Sequence, residues 1–556
     1  MSDTKNNNPV PNFYRASAEN FKKIPGIPIA YWVSNQILNL FSNNKQIYEY
    51  SISDGQNVTA DNDKYLRLNW EVDFSKVGIN NKWVFYSKGG VYRKWFGNLD
   101  YVVDWSETAR KNYRKNPSAR IIPEYLWFKE GITWTLITSS KQSFRFLPNC
   151  ATFDKGGSSI FFKNNADLQV ALLFLNTRIS EYLLGLFNDT LNLQVDDVRR
   201  LPLSPDKNKI DENLLKQLIK ISKSDWDSYE TSWDFTTLPL LSPEYLSPTI
   251  EASYQKLRSH WQEMTTEMKE LEEENNNIFI EAYGLQDELT PDVPLSEITL
   301  TCNPHYRYDA NKPEEELESL LLADTIKELI SYAVGCMVGR YSLDKPGLIL
   351  ANQGETIDDY LEQIPEPSFK PDDDNIIPVL DDEYFTDDIV YRFKDFLKTV
   401  FGEKTLSQNL DYIAKALTGK SSSSPEKVIR DYFLRDFYKD HLRRYKKRPI
   451  YWMFSSGKQQ GFNALVYMHR YNKATLSKMR TDYLLELEAK LEAELTSLSE
   501  DPVKNKARIS KIKKQVDEMR TWDELLNNKA LALIEIDLDD GVVVNYAKFE
   551  GLVRKI

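Results

Sequence analysis

The chain has 556 residues, 41% of them hydrophobic and 28% charged, with 71 Lys/Arg against 83 Asp/Glu for a net charge of −12. That length exceeds what a single hydrophobic core supports and implies three or four domains. The acidic balance excludes indiscriminate nucleic-acid binding by the whole surface but leaves room for a local basic face. No apolar run reaches the ~18–20 residues of a membrane span, and Met1–Val10 is polar and Asn-rich, unlike a secretory signal. The three cysteines (Cys150, Cys302, Cys336) are far apart and odd in number, which fits a reducing cytoplasm. With four histidines (His260, His305, His441, His469) and no ligand spacing, no metal site is expected.

In chain order, residues 1–20 read as a disordered lead-in. Phe21–Ser34 opens with prolines that fix an extended entry and continues as an apolar run. Residues 64–163 alternate strand-like runs (66–72, 83–86, 133–138, 158–162) with Gly and Asn turns. Leu168, Leu172, Leu175, Ile179, Leu183 and Leu186 mark an apolar face and predict one helix over 167–187. A Pro-, Ser- and Asp-rich stretch reads as a linker at 206–250. Tyr254, Leu257, Trp261, Met264, Met268 and Leu271 then form a heptad seam on a long spacer helix at 251–285. A C-terminal α/β domain follows at 286–480. Apolar residues from Leu476 to Leu498, Pro502 as a breaker, and Ile509, Ile512, Val516 and Met519 predict an antiparallel helical hairpin at 481–527. A β extension at 528–556 closes the chain. The expected class is α+β and multidomain: a mixed α/β domain at 21–205, a spacer helix, and a mainly helical C-terminal domain.

Charge is distributed unevenly along this plan. Lys82–Lys163 carries 14 Lys/Arg against 6 Asp/Glu, net +8, with 18 aromatics in 82 residues. Cations interleaved with aromatics suit phosphates and base edges. Arg, Lys and Gln have the geometry to read guanine and adenine edges, so Lys88, Arg93, Lys94, Lys141, Gln142 and Arg145 are the candidate base contacts. Arg110, Lys111, Arg114 and Lys115 are candidate phosphate contacts. Lys439–Arg480 holds 11 Lys/Arg and one Asp. From it Arg443, Arg444, Lys446, Lys447, Arg448, Lys458 and Arg470 are expected to grip the backbone. Between the two, Glu355–Asp388 holds 13 Asp/Glu and one Lys. It reads as a solvated loop, or functionally as a docking surface for a basic partner or an internal cover over the basic face. Trp83, Trp95, Trp127 and Trp134 are expected in the core.

Several of these stretches carry a family resemblance. Asn176-Thr-Arg178 and Leu191-Asn-Leu-Gln-Val-Asp-Asp-Val-Arg-Arg-Leu-Pro-Leu203 resemble the closing signature of target-recognition domains in restriction–modification specificity subunits and fused restriction-methyltransferases. Ile24–Ser34, Lys88–Asn98, Glu297–Tyr308, Gly335–Gly347, Arg443–Tyr471 and Asp537–Phe549 resemble, in order, the PglX adenine-specific DNA methyltransferases of BREX phage-defence systems. The resemblance covers the chain from about residue 21 onward. It implies that 21–205 is a target-recognition-like domain, that the spacer helix separates recognition modules, and that double-stranded DNA is the partner. It also implies that a complete enzyme uses S-adenosylmethionine.

The catalytic parts of such an enzyme are not found in this sequence. No strand leads into a Gly-x-Gly loop for S-adenosylmethionine, so no cofactor and no catalytic residue are assigned to the chain. Asn303-Pro-His-Tyr306 approximates the Asn-Pro-Pro-Tyr loop, with His305 where the second Pro belongs. Gly419-Lys-Ser421 lacks the first Gly and the strand of a phosphate loop, since Ala414 stands where that Gly is required. The expectation is a monomeric DNA-recognition module without the methyltransferase domain, as a truncated or split gene product, an alternative specificity module or a fragment. It would work beside a separate methyltransferase chain or other BREX proteins. Two alternatives stand beside it: an interaction protein or decoy acting through its acidic segment, and a divergent methyltransferase using Asn303–Tyr306.

Overall fold

The computed structural model describes residues 19, 22–26, 29, 31–188, 190–203 and 212–556. Apart from Glu19, the lead-in expected at 1–20 lies outside the described residues, as does the start of the expected linker. The first region is a layered α/β unit. One sheet runs β2 (Ser51–Ile52), β9 (Ser159–Phe162), β6 (Gly131–Trp134), β7 (Phe144–Leu147), antiparallel throughout. The other runs β3 (Leu66–Leu68), β5 (Tyr101–Asp104), β4 (Trp83–Ser87), β8 (Ala151–Phe153), with β4 and β8 parallel. β1 (Lys45–Gln46) pairs with β10 (Pro202–Leu203) and ties the two ends of the unit together.

β4 is buried along its whole length, which is why Trp-Val-Phe-Tyr reads as a continuous apolar run rather than an alternation. Trp83 and Phe85 join a cluster shared by the two sheets, with Leu147 and Phe161 from the first and Val102 and Phe153 from the second. Val84 and Tyr86 face the other way, against Ala109 and Tyr113. Those two residues are the buried face of a helix over Glu107–Lys115, capped by the Ser106 hydroxyl. The strand expected at 66–72 ends at Leu68 and turns, and β5, β7 and β8 were not anticipated.

We number the helices that bear on the site: α1 (Glu107–Lys115), α2 (Asn165–Leu175), α3 (Arg178–Phe187), α4 (Glu212–Asp227), α5 (Ile250–Tyr283), α6 (Glu314–Met337), α7 (Phe437–Arg444), α8 (Leu485–Leu498), α9 (Lys506–Leu531) and α10 (Gly541–Ala547). The single helix expected at 167–187 is two. Asn176 breaks it by bonding both the N–H and the C=O of Phe144 on β7, and the Thr177 hydroxyl caps α3. The segment expected as a linker contains α4, whose Leu214, Leu215 and Leu218 are buried. The spacer helix is present as α5, 34 residues long and closed by Gly284 in the left-handed conformation. Its seam residues from Tyr254 to Met268 are buried.

The C-terminal region packs α6 and its neighbours on a small sheet of order β11 (Ile377–Pro378), β13 (Asn463–Tyr467), β12 (Tyr451–Ser455). The hairpin forms between α8 and α9. Arg520 pairs with Glu488 and Glu492, while Arg508 pairs with Glu494, so the helices run antiparallel. The expected β extension is instead mainly helical, as α10, and meets the sheet through one bridge between Val553 and Phe454.

Candidate nucleic-acid interface

A cleft of about 560 Å³ opens between the layered unit and the C-terminal region. One wall is Lys88–Val91 with Asn98, Asp100 and Tyr101. The floor is Trp226, in the last turn of α4, with Ser228–Thr231 just after it. The far wall is Arg307, α6 (Asp324, Lys327, Glu328, Tyr332), and α7 with its exit turn (Asp440, Arg443, Arg444, Lys446). The cleft therefore brings together residues of two basic stretches, Lys88–Tyr101 and Asp440–Lys446, that lie more than 300 residues apart in sequence.

The exit turn of α7 is shaped for this. Lys446 and Lys447 both sit in the left-handed region, at φ 50° and 58°, where residues other than Gly are strained. Paired bonds from the Lys447 N–H to the Leu442 carbonyl and the Lys446 N–H to the Arg443 carbonyl stop the helix. The turn carries the Lys446 ammonium across the cleft to Asp100, 2.6 Å away. Arg444 pairs with Glu230 at 3.0 Å and Arg443 with Asp440 at 2.9 Å, while Lys88 stands 3.8 Å from Asp154. Burial pushes the Glu328 carboxyl up from its usual range, against the pull of Arg307 and Arg444. Burial also holds the His441 imidazole of α7 well below its ordinary value, so it adds no charge here. The cations at this cleft are thus held by carboxylates in fixed positions.

A second basic surface lies on α1. Ala109 and Tyr113 face inward, so Arg110, Lys111, Arg114 and Lys115 project outward. Arg110 and Arg114 lie over the Trp127 ring, at 5.1 and 5.9 Å from its centroid. Arg114 also reaches Glu124 at 3.0 Å and Lys111 reaches Glu107 at 2.6 Å, both across exposed pairs.

The structure buries four of the expected contacts, Arg93, Lys94, Arg145 and Arg470. Arg93 is interior. Its guanidinium donates to Asp225 (2.8 Å), Thr301 Oγ1 (3.0 Å) and the carbonyls of Phe96 (2.8 Å) and Ser222 (3.0 Å). Lys94 is buried against Glu272 of α5, whose other oxygen accepts the Trp95 indole N–H at 2.8 Å. Arg145 is fully enclosed and donates to the Arg93 carbonyl at 3.2 Å. Burial, with Arg93 beside it, pulls its guanidinium down to about 10. Arg470 is buried on the carbonyls of Val338 and Asp372. These side chains are buried and bond within the chain, although Nε and Nη2 of Arg145 and Nε of Arg470 have no partner among the described residues. Of the rest, Lys141 lies between Glu181 (2.6 Å) and Glu297 (2.9 Å) at a smaller pocket of about 260 Å³ that Gln142 also lines. Arg448 gives its carbonyl to Trp70, and its guanidinium stands 3.9 Å from Glu71. Lys447 and Lys458 are exposed. Trp83, Trp95 and Trp134 are core as expected, whereas Trp127 is half-buried beneath the α1 arginines. Sequence reading missed Arg307 and Lys327; nothing in their spacing separates them from background cations.

The remaining motifs are structural. Asn303 caps the short helix Pro304–Arg307 by accepting the His305 N–H. Its amide donates to the carbonyls of Leu295 and Ile298, at 2.7 and 2.9 Å. The Asn303 side chain is thus engaged in capping, and the Tyr306 hydroxyl donates to the Tyr92 carbonyl. Gly419 is a helix C-cap. In the acidic segment, Asp388 caps a helix and pairs with Arg430, Asp381 holds Lys511 and Arg508, and Asp374 and Asp387 accept from Tyr483. These carboxylates are internal fasteners, while Asp358, Asp359, Glu362, Glu366, Asp373, Asp382 and Glu383 are exposed, as a solvated segment would have them. Among the described residues no His, Cys, Asp and Glu cluster is arranged for a metal ion, and no helix is long and apolar enough to cross a membrane.

Fold and cleft thus define a multidomain α+β protein whose two main parts meet at a charged cleft. Comparison with known proteins adds its relatives. The chain is 38% identical over 568 residues to the adenine-specific methyltransferase BrxX of Escherichia coli O9:H4 (strain HS), covering 98% of this chain and 46% of that protein. It is 37% identical over 576 residues to the adenine-specific methyltransferase PglX of Lacticaseibacillus casei (strain Zhang), with the same coverage. No family model matches. The chain is PglX-like over nearly its whole length, and it spans about half the length of the curated relatives it matches.

Proposed function

We propose that this chain is the sequence-specific DNA-recognition portion of a BREX PglX-like N6-adenine methyltransferase serving phage defence. In this reading, methyl transfer and S-adenosylmethionine binding fall to a part of the enzyme outside this chain, which spans 46% of each curated relative. Exposed cations on α1 and on the α7 exit turn engage phosphates and fix the register of a duplex. The loop at Lys88–Val91 then lies toward the base edges, and the catalytic portion acts on an adenine turned out of the stack. The observation that carries this reading is the convergence of Lys88 with Arg443, Arg444 and Lys446 on one cleft, in a chain whose overall net charge is −12.

The test is duplex-DNA binding against salt for the wild type and an Arg443→Ala, Lys447→Ala pair. The reading predicts micromolar or tighter binding with a steep salt dependence. The pair should flatten the logarithmic slope by about 0.9 per lost phosphate contact. Absence of binding at low salt would overturn it.

A further inference from the structure

The loop Lys88–Asn98 is fastened at almost every residue. Gly89 and Gly90 have φ of +79° and +149°; a Cβ on Gly89 would stand 2.7 Å from the Gly156 carbonyl oxygen, and one on Gly90 would meet the Asn98 side chain at 2.5 Å. The Asn98 amide donates to the Val91 carbonyl at 2.9 Å. The Gly90 N–H and C=O both bond the Thr135 hydroxyl at 3.1 Å. The Tyr306 hydroxyl donates to the Tyr92 carbonyl. Behind these lie the Arg93–Asp225 and Lys94–Glu272 ion pairs, and Trp95 and Asn98 hold left-handed φ values of 68° and 59°. Such strain persists only where the surroundings impose it.

The side chain these fastenings present to solvent is Val91, 65% exposed and lining the cleft. A lone exposed valine is ordinary. One on a rigid, strained loop beside Lys88 is placed for contact. Valine has no donor or acceptor, and the major-groove edge offers one apolar group, the thymine C5-methyl. It is also shorter than the side chains that wedge between base steps. We infer that Val91 is the residue through which this chain recognises a thymine, by apolar contact with its methyl group. This rests on the DNA-recognition reading above.

The experiment takes the tightest duplex recovered from a randomised pool by the wild-type chain and replaces each thymine in turn by uracil. For the wild type, one position should cost about fourfold in affinity, the worth of one buried methyl. Val91→Ser should abolish that cost at the same position, Val91→Ile should keep it, and Val503→Ser, an exposed valine on the α8–α9 turn, should leave it unchanged. If no position discriminates, if the discrimination survives in Val91→Ser, or if that variant weakens all duplexes equally, the inference is overturned. If the wild type retains no duplex from the pool, the DNA-recognition reading itself fails, a distinct result.

Discussion

The loop Lys88–Asn98 and helix α1 are neighbours in sequence and equally basic, yet they use their cations in opposite ways. The loop turns Arg93 and Lys94 inward onto Asp225 and Glu272, while α1 turns Arg110, Lys111, Arg114 and Lys115 outward. The difference lies in periodicity. In α1 the apolar residues Ala109 and Tyr113 are four apart, so one face is buried and the cations share the other. The loop has no such period, and its Gly-rich backbone folds back on the unit and draws its polar side chains in with it. Local charge density therefore identifies a basic segment without saying which cations reach solvent.

The sharpest way to break this contrast is Arg93→Ala. It leaves Asp225 buried beside a missing charge and should cost about 3–5 kcal/mol in urea unfolding. If the variant instead keeps its stability and loses only DNA affinity, Arg93 is a contact and not a fastener. Glu272→Gln should cost about 2 kcal/mol, because the Lys94 ammonium loses its charge partner while the Trp95 N–H keeps an acceptor.

A third test concerns the acidic segment. Burial, then the neighbouring Asp374, pushes the Asp372 carboxyl up to about 7 from an ordinary 3.8, with Asp387 adding to it and Arg470 opposing. The folded chain then holds a proton that the unfolded chain has released between about pH 4 and pH 7, so stability falls as pH rises through that window. Asp372→Asn should remove this part of the slope, leaving melting temperatures at about pH 5 and about pH 8 closer together than in the wild type. An unchanged slope would show that Asp372 is ionised throughout. The smallest stability effect belongs to α1: replacing Lys111 and Lys115 by Ala should change unfolding by no more than about 0.5 kcal/mol.

Elements defined by their own periodicity were legible in the sequence. The α5 seam from Tyr254 to Met268 and the Pro502 break of the hairpin needed no distant partner to be read. Elements set by long-range partners were not. The break at Asn176 depends on Phe144, 32 residues away, and the parallel pairing of β4 with β8 joins residues about 66 apart. Helix α4 was legible in principle, since Leu214, Leu215, Leu218 and Ile221 have helical spacing; Pro- and Ser-rich flanks obscured it. At the candidate site the residue types were readable but their exposure was not, because the carboxylates that bury Arg93 and Lys94 lie 132 and 178 residues further on.

The central claim is that outward cations, and not the buried arginines, hold DNA. Its most direct test is the salt dependence of duplex binding for a variant with Arg110, Lys111, Arg114 and Lys115 all changed to Ala, beside the wild type. The account predicts wild-type melting behaviour, weaker binding, and a logarithmic salt slope reduced by about 0.9 for each cation that met a phosphate. Binding and slope both unchanged in a folded variant would contradict it.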